Sequence, residues 1–313
     1  MSVGWVAAAA RGKGLAGHRA GPTGAREFAA STSLEAALDL LQRTAYGRHV
    51  RAGMDRQAAQ QAVWASALWQ LRVLAGWAPT LGSAGSRVLA ARFEIDNLVN
   101  HARALAGRTV PSPFVLGALG TAWAAADLSR SVGELRRVLR SSVWGDPGSD
   151  DCATMRLSLE LSWCRQLGSV MAEAAPWATS YAVLLAARLT ASEGIVLLPE
   201  GPAADARHLL GPAALRATSL TELARLVPRP ASFVLAGVSD REDLWMVEVR
   251  WWRRVGTDAT AMCAAPRPSA ASVLGAGMLL LADARRVGGS LELAARGGVS
   301  DGASELEVID AVA

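Results

Sequence analysis

An all-α fold is predicted by three features of this sequence. Its 313 residues are 51% hydrophobic, mostly Ala, Leu and Val, with only 5% aromatic side chains, a balance that favours helix over sheet. Along several stretches the apolar residues recur at spacings of three and four, which sets them on one face of a helix. The third feature is a capped amphipathic helix pattern that occurs three times.

The copies of that pattern are Thr32–Gly47, Arg130–Gly145 and Thr218–Val227. In register, Ser33, Ser131 and Ser219 coincide, as do Leu34, Val132 and Leu220, then Leu40, Val138 and Leu226. Glu134 and Glu222 stand three residues after their serines. This is the reciprocal capping spacing, in which hydroxyl and carboxylate each take a free N–H at a helix start. In the first copy Thr32 and Glu35 offer the same spacing one residue earlier. Tyr46-Gly47 and Trp144-Gly145 close two copies with an aromatic and a glycine C-cap, and the third stops at Pro228. The serines lie 98 and 88 residues apart, longer than the ~20–50 residues of common solenoid repeats. Three related helical units follow: 1–111, 112–202 and 203–313.

In chain order, Trp5–Arg26 is interrupted by five glycines and a proline, so helix is expected only over about Gly4–Arg11. The first capped helix is expected over Thr32–Ala45. The apolar period then predicts a long helix over Asp55–Gly76, a glycine-serine loop at Thr80–Ser86 and a second long helix over Arg87–Ala106. Phe114–Ala126 reads as helix leading into the second capped copy, and Trp144–Asp151 as a linker rich in turn residues. Helices are expected at Ala153–Glu173, Trp177–Ser192, Arg241–Met262 and Ser269–Arg296, followed by a loose acidic tail, Gly297–Ala313. A small hairpin from Ser232–Leu235 and Trp245–Val249 is the alternative locally; the apolar period running on to Val255 favours helix.

The apolar runs Pro113–Ala126 and Ala270–Ala282 fall short of the ~20 residues of a membrane span. The N-terminus lacks the positive segment of a signal peptide, and Cys152, Cys164 and Cys263 make no metal or redox spacing. A cytoplasmic protein is expected. The net charge of +4 comes almost wholly from scattered arginines, with Lys13 the single lysine; nucleic-acid binding would want a basic stripe interleaved with aromatics.

Little in the chain points to catalysis. Gly12-Lys-Gly-Leu-Ala-Gly17 fits the dinucleotide pattern, but the stretch after it cannot open the helix that should face a pyrophosphate. Asp150-Asp151 lacks further acids one turn on, and His18, His49, His101 and His208 stand apart without metal spacing. Neither cofactor nor metal is expected. Arg250, Trp251, Arg253 and Arg254 are candidate partner contacts, since Trp and Arg dominate binding hot spots; one buried tryptophan with arginines around it is the plainer alternative.

Phe93-Glu-Ile-Asp-Asn-Leu-Val-Asn-His-Ala-Arg-Ala-Leu-Ala-Gly107 resembles the aromatic-acidic-x-x-Asn-Leu helix of the C-type subunits of V/A-type rotary ATPases, whose eukaryotic counterparts are the d-type subunits of the proton pump. Ser33–Tyr46 is similar to that family's early helix. On this resemblance the chain is a divergent bacterial member. Ser180–Leu189 has lost the Asn and acidic residues, and the third unit keeps only Glu248 and Arg250. The resemblance implies a pseudo-threefold funnel of three helical units, peripheral on the cytoplasmic face of the plasma membrane. It implies a non-catalytic rotor component whose partners are the D- and F-type shaft subunits and the ring proteolipid. It couples ATP hydrolysis or synthesis to proton or sodium flow. Phe93, Glu94 and Asn97 are expected to be structural, like the capping residues, with the Asn97 amide satisfying a helix end or loop carbonyl. A stand-alone adaptor with the same fold is the alternative.

Overall fold

The computed structural model describes residues 3–193 and 198–298, and among these it is helical without strands. The expected acidic tail falls, from residue 299 on, outside the described residues. In chain order the helices are α1 (Val3–Gly17), α2 (Gly21–Ala29), α3 (Leu34–Leu41), α4 (Arg56–Trp77) and α5 (Thr80–Leu105). They continue with α6 (Trp123–Ala126), α7 (Val132–Arg140), α8 (Cys152–Val170), α9 (Ala175–Glu193) and α10 (Glu200–Leu210). The last are α11 (Leu220–Leu226), α12 (Leu244–Ala264) and α13 (Ala270–Ala295). Packing divides the chain into two compact units, Met1–Ser86 with Trp252–Ala313, and Arg87–Trp251. This cut follows contacts, whereas the three sequence units follow the repeated capped helices.

The first compact unit is built around α13, which packs against α1, α2, α3 and α4. It is buried continuously from Ser272 to Ala284, so small residues decide how near its neighbours can come. At Gly275 an added Cβ would stand 2.7 Å from the Ala259 carbonyl oxygen and 2.8 Å from the Met262 Cβ. At Gly12 it would stand 2.9 Å from the Ala276 Cβ. That close approach corrects the expectation that helix ends near Arg11. The glycine costs propensity, about 1 kcal/mol against Ala, but lets α1 lie against α13, and α1 continues to Gly17. Gly21 then turns the chain with φ +65°, and Pro22 sits in the first turn of α2, where a missing N–H costs nothing.

Two further expectations change in this unit. Thr80–Ser86 is the opening of α5 and not a loop. Gly82 lies under Trp5, whose ring would come within 2.9 Å of an added Cβ, and Ser83 Oγ donates to the carbonyls of Ala75 and Ala78. The first capped helix ends at Leu41, and Tyr46-Gly47 lies in a separate 3-10 turn, Ala45–Arg48. Gly47 is needed there for contact, because a Cβ would collide with the Gln42 carbonyl.

The second compact unit packs α8 and α9 against each other and against α10. Trp163, Trp177 and Trp251 are its largest buried side chains. A buried indole needs an acceptor: Trp163 Nε1 donates to the Val88 carbonyl at 2.8 Å and Trp251 Nε1 to the Trp177 carbonyl at 2.9 Å. Arg92 donates to the Tyr181 hydroxyl at 2.7 Å and lies over both the Trp163 and Tyr181 rings. Ser232–Leu235 belongs to a 3-10 turn, Arg229–Leu235, and no hairpin forms with Trp245–Val249, which is helical. Phe114–Ala126, expected as one helix, is broken into an irregular start, a 3-10 turn at Gly117–Leu119 and the four-residue α6. Its backbone groups are taken by side chains of α5, described below.

The turn between α7 and α8 is closed by Asp146. Its carboxylate accepts from Arg136 Nε at 2.7 Å, from Arg140 Nε at 3.0 Å and from the Gly148 N–H at 2.9 Å. The Arg136 guanidinium foremost, against the opposing effect of partial burial, holds the Asp146 carboxyl down to about 2. A depressed carboxyl pKa stabilises the fold above its unfolded value, and that stability is lost as pH falls through the folded value.

Two measurements check these contacts. Gly275→Ala is expected to destabilise by about 1–3 kcal/mol although alanine is the better helix former. Gly288→Ala in the same helix, whose added methyl meets nothing within 4 Å, should gain about 0.5–1 kcal/mol. Urea denaturation of the pair reads both signs. In an NMR titration Asp146 should ionise near 2, and Arg136→Ala should return it towards 3.8, flattening the loss of stability between about pH 4 and pH 2.

Candidate functional site

Each of the three repeated serines caps its helix from an extended backbone, with φ −155° at Ser33, −146° at Ser131 and −146° at Ser219. Their hydroxyls accept the N–H groups of Ala36, Glu134 and Glu222, each at 3.2 Å. In return the Glu134 carboxylate takes the Arg130 N–H at 2.8 Å, and Glu222 takes the Thr218 N–H at 2.8 Å with the Thr218 hydroxyl at 3.0 Å. Those donations from Thr218 hold the Glu222 carboxyl below its ordinary range. The carboxylates thus reach the residue before the serine. In the first copy the cap is Ser33, so the Thr32–Glu35 alternative is not the one used.

Glu94 and Asn97 sit one turn apart on α5, and both are almost wholly buried. A buried carboxylate must find donors or it would neutralise. Glu94 finds four: the N–H groups of Thr121, Ala122 and Trp123 at 2.8, 2.7 and 2.7 Å, and the Thr121 hydroxyl at 2.5 Å. Asn97 Nδ2 donates to the Phe114 carbonyl at 2.9 Å, and its Oδ1 accepts the Phe114 N–H at 2.7 Å. Phe93 meets Phe114 edge to face, ring centres 5.1 Å apart. His101, one turn beyond Asn97, bonds the Ser129 carbonyl at 3.1 Å. One face of α5 therefore pins the whole strap from Phe114 to Ser129.

A second buried carboxylate, which residue spacing alone does not single out, does the same work in the other compact unit. Asp283 on α13 accepts the Ala20 N–H at 3.0 Å, the Gly21 N–H at 2.8 Å and the Tyr46 hydroxyl at 2.8 Å. Arg286 lies one turn on, with Nη1 3.4 Å from Asp283. Burial, and then the adjoining Asp283 charge, push the Tyr46 phenol well above its usual value, so it stays a donor. Glu94 is residue 15 of 26 in α5 and Asp283 residue 14 of 26 in α13. Both grip the start of a short helix that precedes a serine-capped one. The available signal was a lone acid in the apolar run Met278–Ala284, which only buried donors can explain.

The basic tryptophan stretch divides. Trp251, expected among the partner contacts, is 2% exposed; its indole N–H is satisfied by the Trp177 carbonyl, so the ring belongs to the core. Arg250 donates to the carbonyls of Val234 and Ala236 and ties α12 to the turn before it. Arg254 pairs with Asp258 at 2.9 Å, and Arg253 is exposed. The exposed tryptophan of α12 is Trp245, at 49%.

Asp150 stands near Arg136, and Asp151 caps α8 through the Thr154 N–H at 2.8 Å. Gly12, Gly14 and Gly17 lie inside α1, so they form no loop that could cradle a pyrophosphate. Among the described residues no group of three or more His, Cys, Asp or Glu is placed to hold a metal. No described helix is long and apolar enough to cross a membrane. Compared with known protein families and with curated proteins, the sequence matches none.

Replacing Glu94 by Gln keeps the shape but turns an amide NH2 towards backbone donors. The expected loss is about 2–4 kcal/mol, with Asp283→Asn behaving likewise. Thermal melts check the size, and amide hydrogen exchange at Thr121–Trp123 or at Ala20–Gly21 should accelerate selectively in the matching variant.

Proposed function

We propose that this chain is a non-catalytic central-stalk component of a V/A-type rotary ATPase, coupling the rotating shaft to the membrane ring that carries protons or sodium ions. On this reading it is a pseudo-threefold funnel of three helical lobes, held at the cytoplasmic face by the ring and by the D- and F-type shaft subunits.

The observation that carries the reading is the repetition of architecture. Three times a serine-capped short helix leads into two long ones: α3 into α4 and α5, α7 into α8 and α9, α11 into α12 and α13. In two of the three, the second long helix holds a buried carboxylate within one residue of the same depth. At the matching depth α9 has Arg188 instead, paired with Glu248 at 2.8 Å, so the second lobe departs as its sequence does. The resemblance of Phe93–Gly107 to the family helix adds to this, and its acidic residue and Asn are the groups that pin the strap. A torque-carrying part needs stiffness, and close-packed helices with satisfied buried polar groups supply it. It needs no reactive centre.

The test is purification of the tagged chain from its own cells in mild detergent. The shaft subunits and the ring proteolipid should co-purify with it in stoichiometric amounts. A rotary ATPase that assembles fully without the chain, while the tagged chain emerges alone, overturns the proposal and leaves the stand-alone adaptor.

A further inference from the structure

The first compact unit holds an open cleft of about 860 Å³, within the about 300–1,000 Å³ of small-molecule sites. Its wall runs from the last turns of α1 through α2 and the end of α3 to the middle of α4. Leu15, Phe28, Leu40 and Trp69 give it an apolar floor, and Arg48 covers one face of Trp69 with its guanidinium 4.1 Å from the ring centre. Three arginines stand at its lip, Arg11, Arg19 and Arg43, against the single carboxylate of Glu27.

Among the described residues no carboxylate lies within ion-pair distance of Arg11, Arg19 or Arg43, although other arginines of the unit are paired, as Arg56 is with Glu292 and Arg254 with Asp258. The Arg19 Nε is buried and has no hydrogen-bond partner among the described residues. Gln70, also lining the cleft, is 6% exposed. A buried guanidinium nitrogen left unsatisfied on a residue of the cleft wall calls for a partner. His18, also in the cleft wall, bonds the Gly14 carbonyl through Nδ1.

We propose that this cleft binds a small amphiphilic anion, an apolar body on the Leu15–Phe28–Trp69 floor with a carboxylate or sulfonate-like head among Arg11, Arg19 and Arg43. Guanidinium groups suit such heads because two parallel N–H bonds match two oxygens. The apolar floor excludes a bare inorganic ion as the preferred occupant.

The experiment titrates the full chain with anilinonaphthalene sulfonate and with N-phenylnaphthylamine, the same ring system without the sulfonate, following dye fluorescence. The sulfonate should bind wild type at least about tenfold more tightly than Arg11→Ala/Arg43→Ala, while the uncharged dye binds both alike. Decanoate should displace the sulfonate dye and decanol should not. Arg254→Ala, in the same unit and outside the cleft, should keep wild-type affinity. Matching circular-dichroism melts establish that the variants are folded, since Arg11 and Arg43 are exposed. Equal affinity of wild type and the double variant for the sulfonate, or equal displacement by decanoate and decanol, overturns the proposal.

Discussion

A carboxylate inside a helical core is stable only where backbone N–H groups come to meet it. Glu94 and Asp283 each meet that condition by seizing the first turn of a short helix, whose free N–H groups lack partners of their own. One deficit satisfies the other. The attraction is reinforced by low dielectric and by the partial positive charge of a helix start. Two irregular segments, Phe114–Trp123 and His18–Gly21, thereby acquire fixed positions against long helices, with no regular structure of their own to hold them.

Close packing is the second constraint, and it works through glycine and alanine. Where α12 meets α13 at Gly275, and where α1 meets α13 at Gly12, a methyl group would have to displace backbone or Cβ atoms. Such contacts are stiff because neither side can swing aside as a long side chain would. Stiffness of this kind costs intrinsic helix stability, about 1 kcal/mol per interior glycine, and burial of the facing surfaces has to exceed it.

Much of the helical layout could be read from residue spacing alone. The periods over Asp55–Gly76, Trp177–Ser192 and Ser269–Arg296 lie within a few residues of α4, α9 and α13, because a long apolar stripe has one way to be buried. The capping serines were readable for the same reason: donor and acceptor sit three or four residues apart. What could not be read depends on distant partners. The glycines of α1 and of early α5 count as breakers until a packed neighbour such as Ala276 or Trp5 is known. Phe114–Ala126 has helical composition, yet its backbone groups are claimed from α5, 17 to 29 residues back in the chain. The role of Asp283 rests on donors 237 to 263 residues away.

The segments around the repeated capped helices also differ in chemistry. Aligning the two gripped segments on their short helices sets Gly21 against Trp123, Ala20 against Ala122 and Arg19 against Thr121. Counting from the capping serines sets Arg43 against Ser141. The segment around the second capped helix therefore carries neutral hydroxyls where that around the first carries guanidiniums, and one hydroxyl, Thr121, is spent on Glu94 itself. Support for the guanidiniums is already in place: Ala20, beside Arg19 and itself lining the cleft, is bonded through its N–H to Asp283. A cleft wall held by the core does not have to be ordered when a ligand arrives, and that removes one of the main costs of binding.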